Sequence, residues 1–180
     1  MHLYLTGYRG SGKSTVAAAL SLEMGVPAID LDQQIVQSAG KPIAEIFAQE
    51  GESTFRDLES AALAALPADP AVIALGGGAI LRPHNRRQIG ERGCCVWLVA
   101  QPATLAERIM ADQQAGAARP SLTGRPPVDE VAEVLRQREP LYRQVADHQV
   151  SVDQRPLDEV VEDILFWLDQ YLEKLAANSP

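Results

Sequence analysis

GYRGSGKST, Gly7 to Thr15, sits between a short apolar run, His2 to Thr6, and a string rich in alanine and leucine. Gly7, Gly12, Lys13 and Ser14 complete the pattern G-x-x-x-x-G-K-S/T, in which glycines let the backbone curl until successive N–H groups point inward. A helix starting near Lys13 adds the positive end of its dipole, and the result is a cradle for phosphate oxygens. Gly10, Ser11, Gly12, Lys13, Ser14 and Thr15 are the expected contacts to ATP or GTP. Lys13 would bridge the β- and γ-phosphates and the Ser14 hydroxyl would ligate Mg²⁺.

Working outward, β-rich runs at Leu3–Thr6, Ala28–Leu31, Val72–Leu75, Cys94–Val99 and Gln149–Val152 alternate with helical patterns, the first over Lys13–Met24. Five strands interleaved with helices predict a parallel sheet covered on both faces: an α/β fold of the P-loop NTPase type, in three α/β/α layers. Gly25-Val-Pro27, Ala39 to Pro42, Pro67 to Pro70 and Arg82-Pro83 punctuate the elements. Gln113 to Pro127 holds too much Gly, Ala and Pro for a regular element and is expected to be a mobile lid. Leu157–Leu175 reads as an amphipathic packing helix. A chain of 180 residues is expected to form one domain, 1–180.

Composition narrows the function. The 24 acidic and 16 basic side chains give a net charge of −8, which disfavours nucleic acid and anionic membranes as partners. No apolar run approaches a membrane span, and the first residues enter a strand without the pattern of a leader, so a soluble, cytoplasmic protein is expected. Arginine outnumbers lysine, which suits recognition of small anions, although codon bias would leave the same trace. Cys94 and Cys95 are adjacent in an apolar run and read as reduced core residues on opposite faces of a strand. His2, His84 and His148 lack any ligand spacing.

The strings D-x-x-G and N-K-x-D of GTPases are absent, and the run Ala71–Leu75 leads into Gly76-Gly77-Gly78 instead of a metal-binding aspartate. Asp30 does follow a strand directly. Asp30 and Asp32 are two apart and, on an extended chain, would share one side. Phe55-Arg56-Asp-Leu-Glu59 falls in a helical pattern, and Arg138-Glu-Pro-Leu-Tyr142 closes another after Arg119-Pro120. Blander roles remain open for each: caps for the aspartates, an Arg56–Glu59 helix pair, a plain turn at the glycines and a solvent-facing Arg138.

With its P-loop, D-x-D, F-R-x-x-E, G-G-G, R-P and R-x-P-L-Y in one order along nearly the whole chain, the sequence resembles the shikimate kinase family. The resemblance implies transfer of the ATP γ-phosphoryl group to the 3-hydroxyl of shikimate, with Mg²⁺ as cofactor and only small-molecule partners, ATP and shikimate, for an expected monomer. Arg56 and Arg138 would hold the carboxylate, Gly76, Gly77 and Gly78 would back the ring, and Asp32 would orient the reacting hydroxyl. Asp30 would reach the metal through water. Arg119 would close over the phosphates, making Lys13, Asp32 and Arg119 the catalytic set, and Arg108 and Arg155 would flank adenine. The family usually has leucine after R-P, where this chain has Ser121. A sugar-acid kinase resembling gluconate kinase, and a nucleotide-dependent switch without catalysis, are the competing readings.

Overall fold

β1 (His2–Thr6) is buried at all five positions, with no alternation, as a central strand covered on both faces requires. The computed structural model describes residues 1–114 and 127–177. β1 joins β2 (Ala28–Asp30), β3 (Val72–Ala74), β4 (Gly93–Val99) and β5 (His148–Ser151) in one sheet of order β2-β3-β1-β4-β5, every pairing parallel. The helices are α1 (Lys13–Met24), α2 (Leu31–Ala39), α3 (Ile43–Ala64), α4 (Pro83–Arg92), α5 (Pro102–Gln114), α6 (Pro127–Val145) and α7 (Leu157–Ala177), with a 3₁₀ turn at Ala79–Leu81. None among the described residues is long and apolar enough to cross a membrane.

Alternation along the strands sorts the two layers. Leu3 and Leu5 pack with Val16 and Leu20 of α1 and Ile164 of α7, whereas Tyr4 meets Leu63 of α3, Ile89 of α4 and Tyr142 of α6. Cys94 and Cys95 fall on opposite faces, both free and buried, and burial pushes the Cys94 thiol up to about 12. A third cluster, Ile35, Ile43, Ile46 and Phe55, joins α2 to α3. Because β3 and β4 flank β1, connections leave the centre of the sheet in opposite directions and open a crevice at the carboxyl ends of the strands.

Three expectations need correction. Asp30 and Asp32 do not share an extended chain: Asp30 ends β2 and caps α2, its carboxylate accepting from Gln33 N at 3.1 Å, so Asp32 lies in the first turn of that helix. Leu31 therefore begins a helix instead of ending a strand. β3 stops at Ala74, and Gly76 to Gly78 form a turn beyond it, with Ala79 N donating to Gly76 O at 3.0 Å. Inside α3, Gly51 (φ 82°, ψ 172°) breaks the helix into two arms, a kink the periodicity does not show. The expected lid, Gln113 to Pro127, is helical at its edges, where Gln113 and Gln114 end α5 and Pro127 begins α6, and the rest of it, 115–126 with Arg119, lies outside the described residues.

Candidate active site

The loop after β1 carries the first half of the site. Gly7, Gly10 and Gly12 have φ of 145°, 83° and 85°, and Gly12 is the left-handed N-cap of α1. A side chain at Gly12 would meet no atom within 4 Å, so its requirement is conformational and not steric. Lys13 Nζ donates to Gly7 O at 2.9 Å and Tyr8 O at 3.0 Å, lying over the curl it belongs to. Ser14 Oγ donates to Asp30 Oδ2 at 2.5 Å, which ties the start of α1 to the end of β2. Gly12, Lys13, Ser14, Thr15, Asp30 and Asp32 line one cavity at the carboxyl edge of the sheet. Hydroxyl and carboxylate oxygens of this kind are the donors Mg²⁺ takes, and the ion usually keeps several waters.

A second cavity opens beside it and is walled by Asp32, Arg56, Glu59 and Arg138, with Phe47 and Phe55 as its apolar side. Asp32 borders both spaces. Arg56 is buried. Its guanidinium is held by Glu59 at 2.6 Å and Glu52 at 2.8 Å, and it lies 5.4 Å from the Phe55 ring centre. Burial disfavours its charge, but the two glutamates outweigh that and raise its pKa. Glu59 is 1% exposed, and burial pushes its carboxyl up; Arg56 opposes the shift and the charge of Asp32 adds to it.

Gly78 is glycine for a steric reason. A Cβ there would overlap the Arg56 guanidinium, and one at Gly76 would lie 2.6 Å from Asp32 Oδ1 and 2.8 Å from Glu59 Oε1. The triple glycine thus makes room for the charged groups of the pocket. Gly77 serves through its carbonyl, which accepts from Arg138 Nη1 at 3.1 Å and from Tyr142 Oη at 2.9 Å. Tyr142 is fully buried and stacks on Trp97, so R-x-P-L-Y works as a unit: the tyrosine docks α6 on β4 and the arginine one turn earlier reaches the cavity.

On the other side of the phosphate loop, Gly10, Gly12, Thr15, Arg108 and Arg155 line a broader space. Arg108 donates to Gly10 O at 3.3 Å and Val152 O at 3.0 Å, bridging the loop to the end of β5. Every expected site residue among those described except Gly76 therefore lines one of these three spaces, and Gly76 lies behind Asp32 and Glu59. The sequence reading missed Tyr8, Arg9, Ile43 and Phe47 in the pocket walled by Arg56 and Arg138, and Asp112 in the space beside Arg108. Tyr8 and Arg9 occupy variable positions of the phosphate-loop pattern, and the spacing of Ile43 and Phe47 on a helix marks only an apolar face.

A sequence profile of the shikimate kinase family matches residues 9–169. The chain belongs to the shikimate kinase family. It is 50% identical over 165 residues to the shikimate kinase of Rhodopirellula baltica, covering 91% of this chain and 88% of that one. A shikimate kinase from Acinetobacter baumannii, solved in complex with shikimate, superimposes with a TM-score of 0.87 at 33% identity, over 94% of this chain and 93% of its own. A gluconokinase from Sinorhizobium meliloti reaches a TM-score of 0.66 at 23% identity, over 99% of this chain and 97% of its own, a likeness of fold alone. As a shikimate kinase the chain is an ATP-dependent transferase of the shikimate pathway.

Proposed function

We propose that this chain, as a single kinase domain over 1–180, binds ATP on the loop Gly10–Thr15 and shikimate in the adjoining pocket, and moves the γ-phosphoryl group to the 3-hydroxyl. The observation that carries the reading is the position of Asp32, which borders the phosphate cradle on one side and the arginine-lined pocket on the other. Shikimate has a carboxylate at one end of its ring and hydroxyls at the other. Arg56 and Arg138 supply cationic donors for the first, Asp32 an acceptor for the second, and Gly76 to Gly78 the close backbone beneath.

In this scheme Asp32 orients the 3-hydroxyl and takes up its proton as the oxygen attacks phosphorus. Lys13 and the loop N–H groups hold the phosphates and meet the charge that develops on the leaving oxygen, and Arg119 adds positive charge to the transferring group. Ser14, and Asp30 through water, would hold Mg²⁺, which when bound neutralises phosphate charge. Arg108 and Arg155 flank the base. The chain acts as a cytoplasmic monomer on these two small molecules, a setting in which the free, buried Cys94 and Cys95 remain reduced.

Coupled measurement of ADP release with ATP and Mg²⁺ tests the reading. Saturable release on adding shikimate, and background release with gluconate, is the expected outcome; release that ignores shikimate would overturn it. Saturation by an added acid also excludes a switch without catalysis.

A further inference from the structure

Arg155 borders the broader space beyond the phosphate loop, yet all three of its nitrogens face protein acceptors. Nη1 donates to Asp163 Oδ2 at 2.8 Å and to Ser151 O at 3.4 Å, Nη2 donates to Glu159 O at 3.0 Å, and Nε lies 3.7 Å from Glu159 Oε2. A guanidinium whose donor edge is engaged in this way has its flat face left for a ligand, and that face stacks on a ring. The backbone beneath is set as well. Gln154 is in the left-handed region (φ 52°), and Asp153 next to it accepts from Gln101 N at 2.9 Å, pinning the turn to the end of β4.

Asp163 is the keystone of the arrangement. Its second oxygen lies 4.0 Å from His148 Nε2, whose ring stacks face to face on Trp167 at 4.9 Å, so the carboxylate stands between a packed aromatic pair and the arginine. We infer that Asp163 of α7 is a positioning residue of the nucleotide site, holding Arg155 by its edge so that the guanidinium face meets the purine. The inference rests on the assignment of this cavity to the nucleotide base.

The test is calorimetric titration of the full chain with ADP, for wild type, Asp163→Asn, Arg155→Leu and the double variant, with the Michaelis constant for shikimate as control. Each single change is expected to raise the ADP dissociation constant roughly three- to tenfold, about the worth of one partly exposed stacking contact. The double variant is expected to be no weaker than Arg155→Leu, because Asp163 acts through that residue. The shikimate constant should stay within about twofold. Unchanged ADP affinity in Asp163→Asn, multiplying effects in the double variant, or an equal rise in the shikimate constant would each overturn the inference. Wild-type protein that bound no ADP would instead defeat the nucleotide assignment beneath it.

Discussion

The pocket beside Asp32 and the broader space beyond the phosphate loop both present arginines, but Arg56 in the first is held differently from Arg108 and Arg155 in the second. Arg56 is 8% exposed and fixed by carboxylates on its own helix, while Arg108 and Arg155 are anchored on backbone carbonyls and a partly exposed aspartate. A small acid offers few atoms, so its recognition depends on charges already desolvated and aimed before it arrives. A triphosphate offers many oxygens and a wide base. Curled backbone N–H groups satisfy most of it, and the side chains around it can remain in contact with water.

The sharpest way to break this comparison is at Asp32, which borders both the pocket and the phosphate cradle. Asp32→Asn is expected to lower kcat by about 10²- to 10⁴-fold, the range for a positioned acid–base group, with the ATP Michaelis constant little changed. Near-normal turnover in a steady-state assay would remove Asp32 from the chemistry. Next in size is the buried pair. Glu59→Ala leaves the Arg56 charge buried with only Glu52 beside it and should cost about 3–5 kcal/mol of unfolding free energy in a denaturant titration. A loss near zero would mean that the pocket beside Asp32 is as adaptable as the broader space.

Arg138→Ala should raise the Michaelis constant for shikimate roughly tenfold or more, the worth of a charge-assisted hydrogen bond, and that for ATP far less. Equal effects on the two would make its bond to Gly77 O structural. The smallest effect concerns pH and lies away from both spaces. Burial, with Arg92 nearby, lowers the His2 pKa below 6.5, so the unfolded chain binds the proton more readily than the folded one. The stability held by neutral His2 is complete above that value and is lost as pH falls through it. Thermal melts at pH 7.5 and 5.5 should show a drop of a few degrees that is smaller in His2→Gln. The difference between the two proteins isolates His2 from Glu59, whose raised value acts in the opposite sense. Identical drops would contradict the assignment.

Much of this was legible from spacing. The phosphate loop, α1 from Lys13 to Met24 and the five strands appear within a residue or so of their expected ends, because glycine placement and unbroken apolar runs leave few alternatives. The local setting of Asp32 was not. D-x-D reads equally as the end of a strand or as a cap followed by a helical turn, and the hydrogen bond from Gln33 N to Asp30 decides between them. Nor does sequence say that Gly76 and Gly78 clear space for Asp32, Glu59 and Arg56, since that need arises only when α2 and α3 pack over the end of β3. Phe47 and Ile43 look like any apolar helix face until Gly51 bends α3 around the pocket.

A crystal structure of the chain with shikimate and ADP tests the central claim most directly. The account predicts the carboxylate within hydrogen-bond distance of both Arg56 and Arg138, and the 3-hydroxyl on Asp32 facing the phosphate loop. A ring bound with its carboxylate away from those two arginines, or with Asp32 turned from its hydroxyls, would contradict it.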